Sequence, residues 1–167
     1  MIALYRGRSW VSRAIRWYTW GPYSHASYVA PDLAYEIESW GRGGVQLHDR
    51  IGAAHTDADV IDLYTVDVSA QQARVIEQFL REQVGRRYDW HSVFHFVLRR
   101  TEHVRDQQRW FCSELICAAY RAAGVELLAR PCYSVSPSLL GSSPLLRFVS
   151  SGTRVNLDAI RRGESNA

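Results

Sequence analysis

One cysteine sits where a thiol could act as a nucleophile. Cys112 lies in the run Trp110-Phe111-Cys112-Ser113-Glu114-Leu115-Ile116, at the first turn of a segment whose Leu115, Ile116, Ala119 and Ala123 share a helical face. Unpaired backbone N–H groups and the helix dipole at such a start favour negative charge, so a thiol there is expected to ionise readily. The N–H of Cys112 could also face the oxygen of a tetrahedral intermediate. The competing reading is that a free cysteine is a small buried hydrophobe. Burial is the expectation for Cys117 and Cys132, which lack this setting. Ser113 would need stronger activation than a thiol at this position, and Glu114 reads as a structural partner of the positive helix end.

A thiol nucleophile needs a base, and the base needs a polar group to orient it. His25 sits at the beginning of a strand-like run, in Tyr23-Ser24-His25-Ala26-Ser27-Tyr28-Val29, and Tyr35-Glu36-Ile37-Glu38-Ser39 follows on the next run. Residues two apart on a strand share a face, so a hairpin can bring either Glu36 or Glu38 beside His25. A carboxylate on one imidazole nitrogen would set the tautomer and leave the other nitrogen for the cysteine. His91 and His95 lie four apart on an expected helix and could in principle share a metal. The metalloprotease glutamate is absent, since Ser92 follows His91, and the favoured reading places the pair beside a core face of Val93, Phe94 and Val97.

The elements that must position these residues alternate unevenly. Ser9 to about Tyr18 has helical spacing and is stopped by Gly21-Pro22. Strands are expected at Ser24–Ala30 and Leu33–Trp40 around a Pro31-Asp32 turn, at Val45–Leu47 after a glycine-rich loop, and at Val60–Val66. Ser69 reads as the N-cap of a helix ending near Gly85. A second helix is expected from Asp89 to about Arg99, then a polar stretch to Arg109. A third runs from Cys112 to Ala123, with Gly124 as its stop signal. Ser136-Pro137 opens a short turn or helix, and Leu145–Ser150 is a last strand. A few strands, then helices, then more strand is an α+β order with an antiparallel sheet, not a repeating βαβ.

Taken together, Ser-His-Ala, then Glu-Ile-Glu-Ser-Trp with Gly43-Gly44-Val45, then Gly85-Arg-Arg-Tyr88-Asp-Trp90, then Phe-Cys-Ser-Glu-Leu resembles the circularly permuted NlpC-type papain-like hydrolases. These include the YiiX- and YaeF-like bacterial proteins and relatives of lecithin retinol acyltransferase. Their histidine precedes the cysteine helix, as it does here, and the resemblance spans about residues 1 to 150. It implies Cys112 as nucleophile, His25 as base, Glu38 as the third member with Glu36 in reserve, and Tyr88 lining the oxyanion site. Ser136-Pro137-Ser138-Leu139-Leu140 resembles the family's Pro-Gly-Asp-Leu turn, with Ser138 and Leu139 in place of the Gly-Asp pair. The implied activity is hydrolysis of an amide, in a cell-wall peptide or an N-acyl amino acid amide, with no metal or organic cofactor. Lipid-directed acyl transfer or thioester cleavage is the enzymatic alternative. A non-catalytic binding module that kept the fold is the other, although a decayed site would be expected to have lost Cys, His or Glu.

Length and composition bound these readings. A chain of 167 residues argues for one core, read here as a domain over residues 1–160 with a polar tail at 161–167. With 47% hydrophobic and 22% charged residues it has ordinary globular composition. A net charge of +3 is too mild for a nucleic-acid binder, which shows a dense basic patch. All 20 basic residues are arginine, which excludes a lysine Schiff base or a phosphate-loop lysine. No apolar run is long enough to span a bilayer, and Arg6, Arg8, Arg13 and Arg16 interrupt any secretory signal. Three cysteines without CxxC spacing suggest neither a disulfide framework nor a zinc ribbon. The default setting is therefore a reduced cytoplasm, with signal-independent export or phage delivery as the alternative. Trp10, Trp17, Tyr18 and Trp20, interleaved with Arg13 and Arg16, could rest on a lipid surface. Packing of these aromatics against the sheet, with arginine stems reaching to water, is the favoured expectation.

Overall fold

A six-stranded antiparallel sheet organises the molecule. A computed structural model describes residues 1–41, 43–88 and 109–161, with the side chains of 88, 109, 160 and 161 outside the description. The strands are β1 (Ile2–Arg6), β2 (His25–Val29), β3 (Glu36–Trp40), β4 (Gly44–His48), β5 (Val60–Val66) and β8 (Leu146–Thr153), in the order β4-β3-β2-β1-β5-β8. Two short strands, β6 (Arg87–Tyr88) and β7 (Arg109–Trp110), pair in parallel beside it. The helices are α1 (Trp10–Tyr18), α2 (Ala70–Gln83), α3 (Cys112–Ala122), α4 (Pro137–Leu140) and α5 (Arg154–Arg161). The expected helix at 89–99 with His91 and His95, the polar stretch that follows it to residue 108, and the tail beyond Arg161 lie outside the described residues.

The central strand is one that the sequence pattern does not announce. In β1, Ile2, Ala3, Leu4 and Tyr5 are all fully buried, because both faces of the sheet are covered there. A strand covered on both sides has no polar alternation, and a short apolar run is ambiguous without it. On one face Leu4, Ala26, Tyr28 and Ile37 pack against Ile76 and Leu80 of α2 and against Leu115, Ile116 and Ala119 of α3. On the other, Ala3, Tyr5 and Val29 pack with Ile51, Ile61, Leu63 and Leu157 of α5. Burial of a side chain such as Leu115 or Ile116 stabilises the fold by about 1.5–3 kcal/mol. Helix α5 was likewise not expected. Its only fully buried described residue is Leu157, too little apolar content to stand out in the sequence.

Local signals account for most boundaries. Ser9 caps α1 by accepting from the N–H of Ser12, and Ser69 and Gln72 form a reciprocal capping box at the start of α2. The second expected strand begins later than Leu33, since Leu33 has a φ of 61° in the turn. Gly44 enters β4 with a φ of 71° and its backbone lies against the Arg86 carbonyl, a spot that any Cβ would fill.

Two expectations are overturned. Trp10, Trp17 and Trp20 do not pack against the sheet but are 81%, 77% and 88% exposed. The sheet face is already covered by α2 and α3, and α1 turns its small polar residues inward instead. Ser12 sits against Gly7, and Thr19 lies 3.5 Å from Ser138. The three cysteines are also not all free: Cys117 in α3 is joined by a disulfide to Cys132, leaving Cys112 as the free one. Their separation of 15 residues carries no motif. Only the return of the chain past α3 brings their Cα atoms to 5.4 Å.

Candidate active site

Strand alternation brings His25 and the two glutamates to one face. Ser27 pairs with Glu38 and Val29 with Glu36, while Tyr5 pairs with His25, so all these side chains share the face opposite Ala26 and Ile37. His25 is held at the head of β2 by its neighbours. The Tyr23 N–H donates to Ser138 Oγ at 3.0 Å, Ser138 donates back to the Tyr23 carbonyl at 2.9 Å, and the Tyr23 hydroxyl contacts Asp62 at 2.7 Å. Ser138, which departs from the turn pattern the resemblance implies, thus anchors the entry to the histidine strand.

Glu38, not Glu36, contacts His25. His25 Nε2 lies 2.6 Å from Glu38 Oε2, with both side chains buried. Glu36 is occupied elsewhere: the Tyr5 hydroxyl donates to Oε1, and the Gly52 N–H donates to Oε2 at 2.6 Å. Burial and the neighbouring Glu38 charge push the Glu36 carboxyl up to about 7.

Two further histidines converge on Glu38, and the sequence reading did not single them out. His55 Nε2 lies 3.1 Å from Oε2, and its ring stacks on Tyr5 with centroids 4.0 Å apart. His48 Nε2 lies 3.1 Å from Oε1, a contact poorly aligned for a hydrogen bond, so both atoms lack a bonded partner. His48 was legible in principle. Its register partner on β3 is Glu36, so alternation puts it on the glutamate face. His55 comes from the loop between β4 and β5, where no period predicts direction.

Charge is distributed unevenly among these groups. Burial would raise Glu38, yet the hydrogen bonds with His25 and His55 and the nearby His48 ring outweigh it and hold the carboxyl well below its usual range. Burial pushes His25 below the ordinary histidine value in spite of Glu38. It would lower His55 too, but Asp59 and Glu38 prevail and raise that imidazole to about 9. Near neutral pH the cluster therefore holds an ionised Glu38, a neutral His25 and a cationic His55.

Cys112 begins α3 on the other side of β2, with Phe111 as an N-cap that makes no side-chain bond. Its helix is fixed there by Ser39 Oγ donating to the Trp110 carbonyl at 2.6 Å and Ser113 Oγ donating to the Val135 carbonyl at 2.5 Å. The backbone N–H of Ala26, the residue directly after His25, is among the groups that favour the ionised sulfur. No hydrogen bond joins the sulfur to the His25 ring among the described residues. The expected ease of ionisation is corrected: burial pushes the Cys112 thiol up to about 12, because desolvation outweighs the N–H groups of Ala26 and Ser113 and its own. Tyr88 pairs across β6 and β7 with Trp110, which sets its backbone two residues from the cysteine position.

No protein-family model matches the chain, and no curated protein matches it. Among solved structures it is similar to the crystal structure of the metalloprotein yiiX from Escherichia coli O157:H7, DUF1105, with a TM-score of 0.65 and 21% identity over 91% of this chain and 96% of that one. The chain has a YiiX-like fold. At this identity the likeness speaks for the fold alone. Among the described residues, His25, Glu38 and His55 offer donor atoms within 4.8 Å of one another, a set that could hold a metal ion.

Proposed function

We propose that the protein is a cysteine hydrolase of the circularly permuted, NlpC-type papain-like kind, which cleaves an amide in a cell-wall peptide or an N-acyl amino acid amide. One observation carries the reading: the buried Glu38 occupies Nε2 of His25 and leaves Nδ1 as the basic nitrogen, on the residue before the Ala26 N–H that favours the ionised Cys112 sulfur. A thiol raised to about 12 rests protonated, so the nucleophile arises during attack rather than standing as a thiolate. As sulfur bonds to the carbonyl carbon, its proton passes to Nδ1 of His25, and Glu38 stabilises the imidazolium. The tetrahedral oxyanion takes the Cys112 N–H at the start of α3, with Tyr88 as the second donor. His25 then protonates the departing amine, the C–N bond breaks, and water activated by the same nitrogen hydrolyses the thioester.

A second reading draws on the donor set. Two imidazoles and a carboxylate suit zinc, and Glu38 Oε1, which makes no hydrogen bond, is a buried polar atom that a cation would satisfy. The likeness to yiiX, itself a metalloprotein, supports this reading. His25, Glu38 and His55 would hold the ion, which would supply Lewis acidity toward a carbonyl or a water. His25 could not then serve as a free base, so the two readings compete.

Intact-mass spectrometry during turnover of peptide and N-acyl amide substrates separates them. The thiol reading expects an acyl adduct on the wild-type chain that is absent from Cys112→Ala, with turnover lost in Cys112→Ala and in His25→Ala. Turnover that survives Cys112→Ala but ceases on chelation would overturn it in favour of the metal.

A further inference from the structure

Helix α1 is amphipathic in the opposite sense to a helix that packs on a core. Trp10, Ala14 and Trp17 fall on one stripe, at i, i+4 and i+7, with Val11 and Tyr18 beside them, and no residue of the helix is buried. The polar residues Ser12 and Thr19 face the protein, whereas Trp10 and Trp17, and Trp20 just after the helix, face solvent. An ordinary surface helix would have these positions exchanged.

Along the chain, the charge next to this helix has one sign. Arg8, Arg13 and Arg16 flank the aromatics, Arg8 and Arg13 are exposed, and no acidic residue occurs in the chain before Asp32. Clustered exposed tryptophans on a short helix flanked along the chain by arginine match the two forces of interfacial binding. The indoles insert at headgroup depth, and the guanidinium groups meet anionic lipid. A protein partner would need an acidic groove to neutralise the arginines, whereas an anionic leaflet supplies that charge continuously. We infer that α1 with Trp20 is a docking surface for an anionic phospholipid bilayer, on which the helix lies flat without crossing. No helix among the described residues is long and apolar enough to span a membrane.

Co-sedimentation of the full chain with vesicles tests this. Vesicles of equal parts phosphatidylcholine and phosphatidylglycerol are expected to bind it, and phosphatidylcholine alone to bind it at least tenfold more weakly. Replacing Trp10, Trp17 and Trp20 together by serine should weaken binding by roughly tenfold or more, with an unchanged far-ultraviolet spectrum because all three are exposed. The double variant Arg8→Gln/Arg13→Gln keeps every aromatic and should lose about tenfold or more on the anionic vesicles. No binding to anionic vesicles, or binding indifferent to both variants, overturns the inference. So does a concentration-dependent dimer, seen by sedimentation velocity without lipid and abolished by the tryptophan replacements, since it would assign the face to a second copy.

Discussion

Glu38 is the residue on which the candidate chemistry turns, because three imidazoles share one buried carboxylate. It keeps His25 oriented through Nε2 while burial keeps that ring neutral, a combination suited to a base that must accept a proton near neutral pH. Glu38→Gln preserves shape but removes the charge that would stabilise the imidazolium. On the proposed mechanism it should lower kcat by about 10²–10⁴, the usual scale of general-base catalysis, measured on whichever amide substrate forms the Cys112 adduct. Glu36→Gln leaves His25 untouched and should change kcat far less. A comparable loss in both variants would mean that neither carboxylate acts through His25. Since His25 must be neutral to act, the rate should rise with pH on an acid limb set by its depressed titration.

At the scale of the element, the proposed mechanism requires α3 to present Cys112 at a fixed point against β2, although its N-cap makes no side-chain capping bond. Its far side is tied down by the Cys117–Cys132 disulfide and its first turn by Ser113 on the Val135 carbonyl. A cross-link that closes a loop of this length stabilises mainly by restricting the unfolded chain. Cys132→Ala, or reduction of the native chain, should lower the unfolding free energy by about 3 kcal/mol in denaturant titrations. An unchanged midpoint would mean that the two sulfurs do not pair in solution. Such a bond persists in oxidising surroundings, which runs against the reduced setting inferred from the cysteine count.

For the whole molecule, the buried titratable cluster makes stability depend on pH from both sides. His55 is raised to about 9 from an ordinary 6.5, so its contribution is complete below 6.5 and is lost as pH climbs through 9. Glu36, raised to about 7 from 4.5, has the same sign over a lower window. Glu38, held below its usual range, acts oppositely: its contribution is present above 4.5 and lost as pH falls through the depressed value. Thermal melts should therefore show a maximum in the mildly acidic range and a decline toward pH 9. His55→Gln should flatten the alkaline arm, and an arm unchanged in that variant would remove His55 as its source.

The residues that name a chemistry could be read from local pattern. A cysteine at a helix start, a histidine at a strand start and two glutamates two apart on the next strand all rest on period and capping, which are properties of neighbouring residues. Ser69, Gly124 and the Pro31-Asp32 turn were legible for the same reason. Tertiary structure decided what depends on distant groups. The burial of β1 on both faces erased the alternation that would have announced it, and the choice of Glu38 over Glu36 was made by Tyr5 and Gly52, which engage Glu36. His55 reached the cluster on a loop without periodicity, and the Cys117–Cys132 pair required the chain to return past α3. The state of the Cys112 thiol followed the same division. A helix start alone favours ionisation, but desolvation is set by everything packed around the sulfur, and here it is the larger effect.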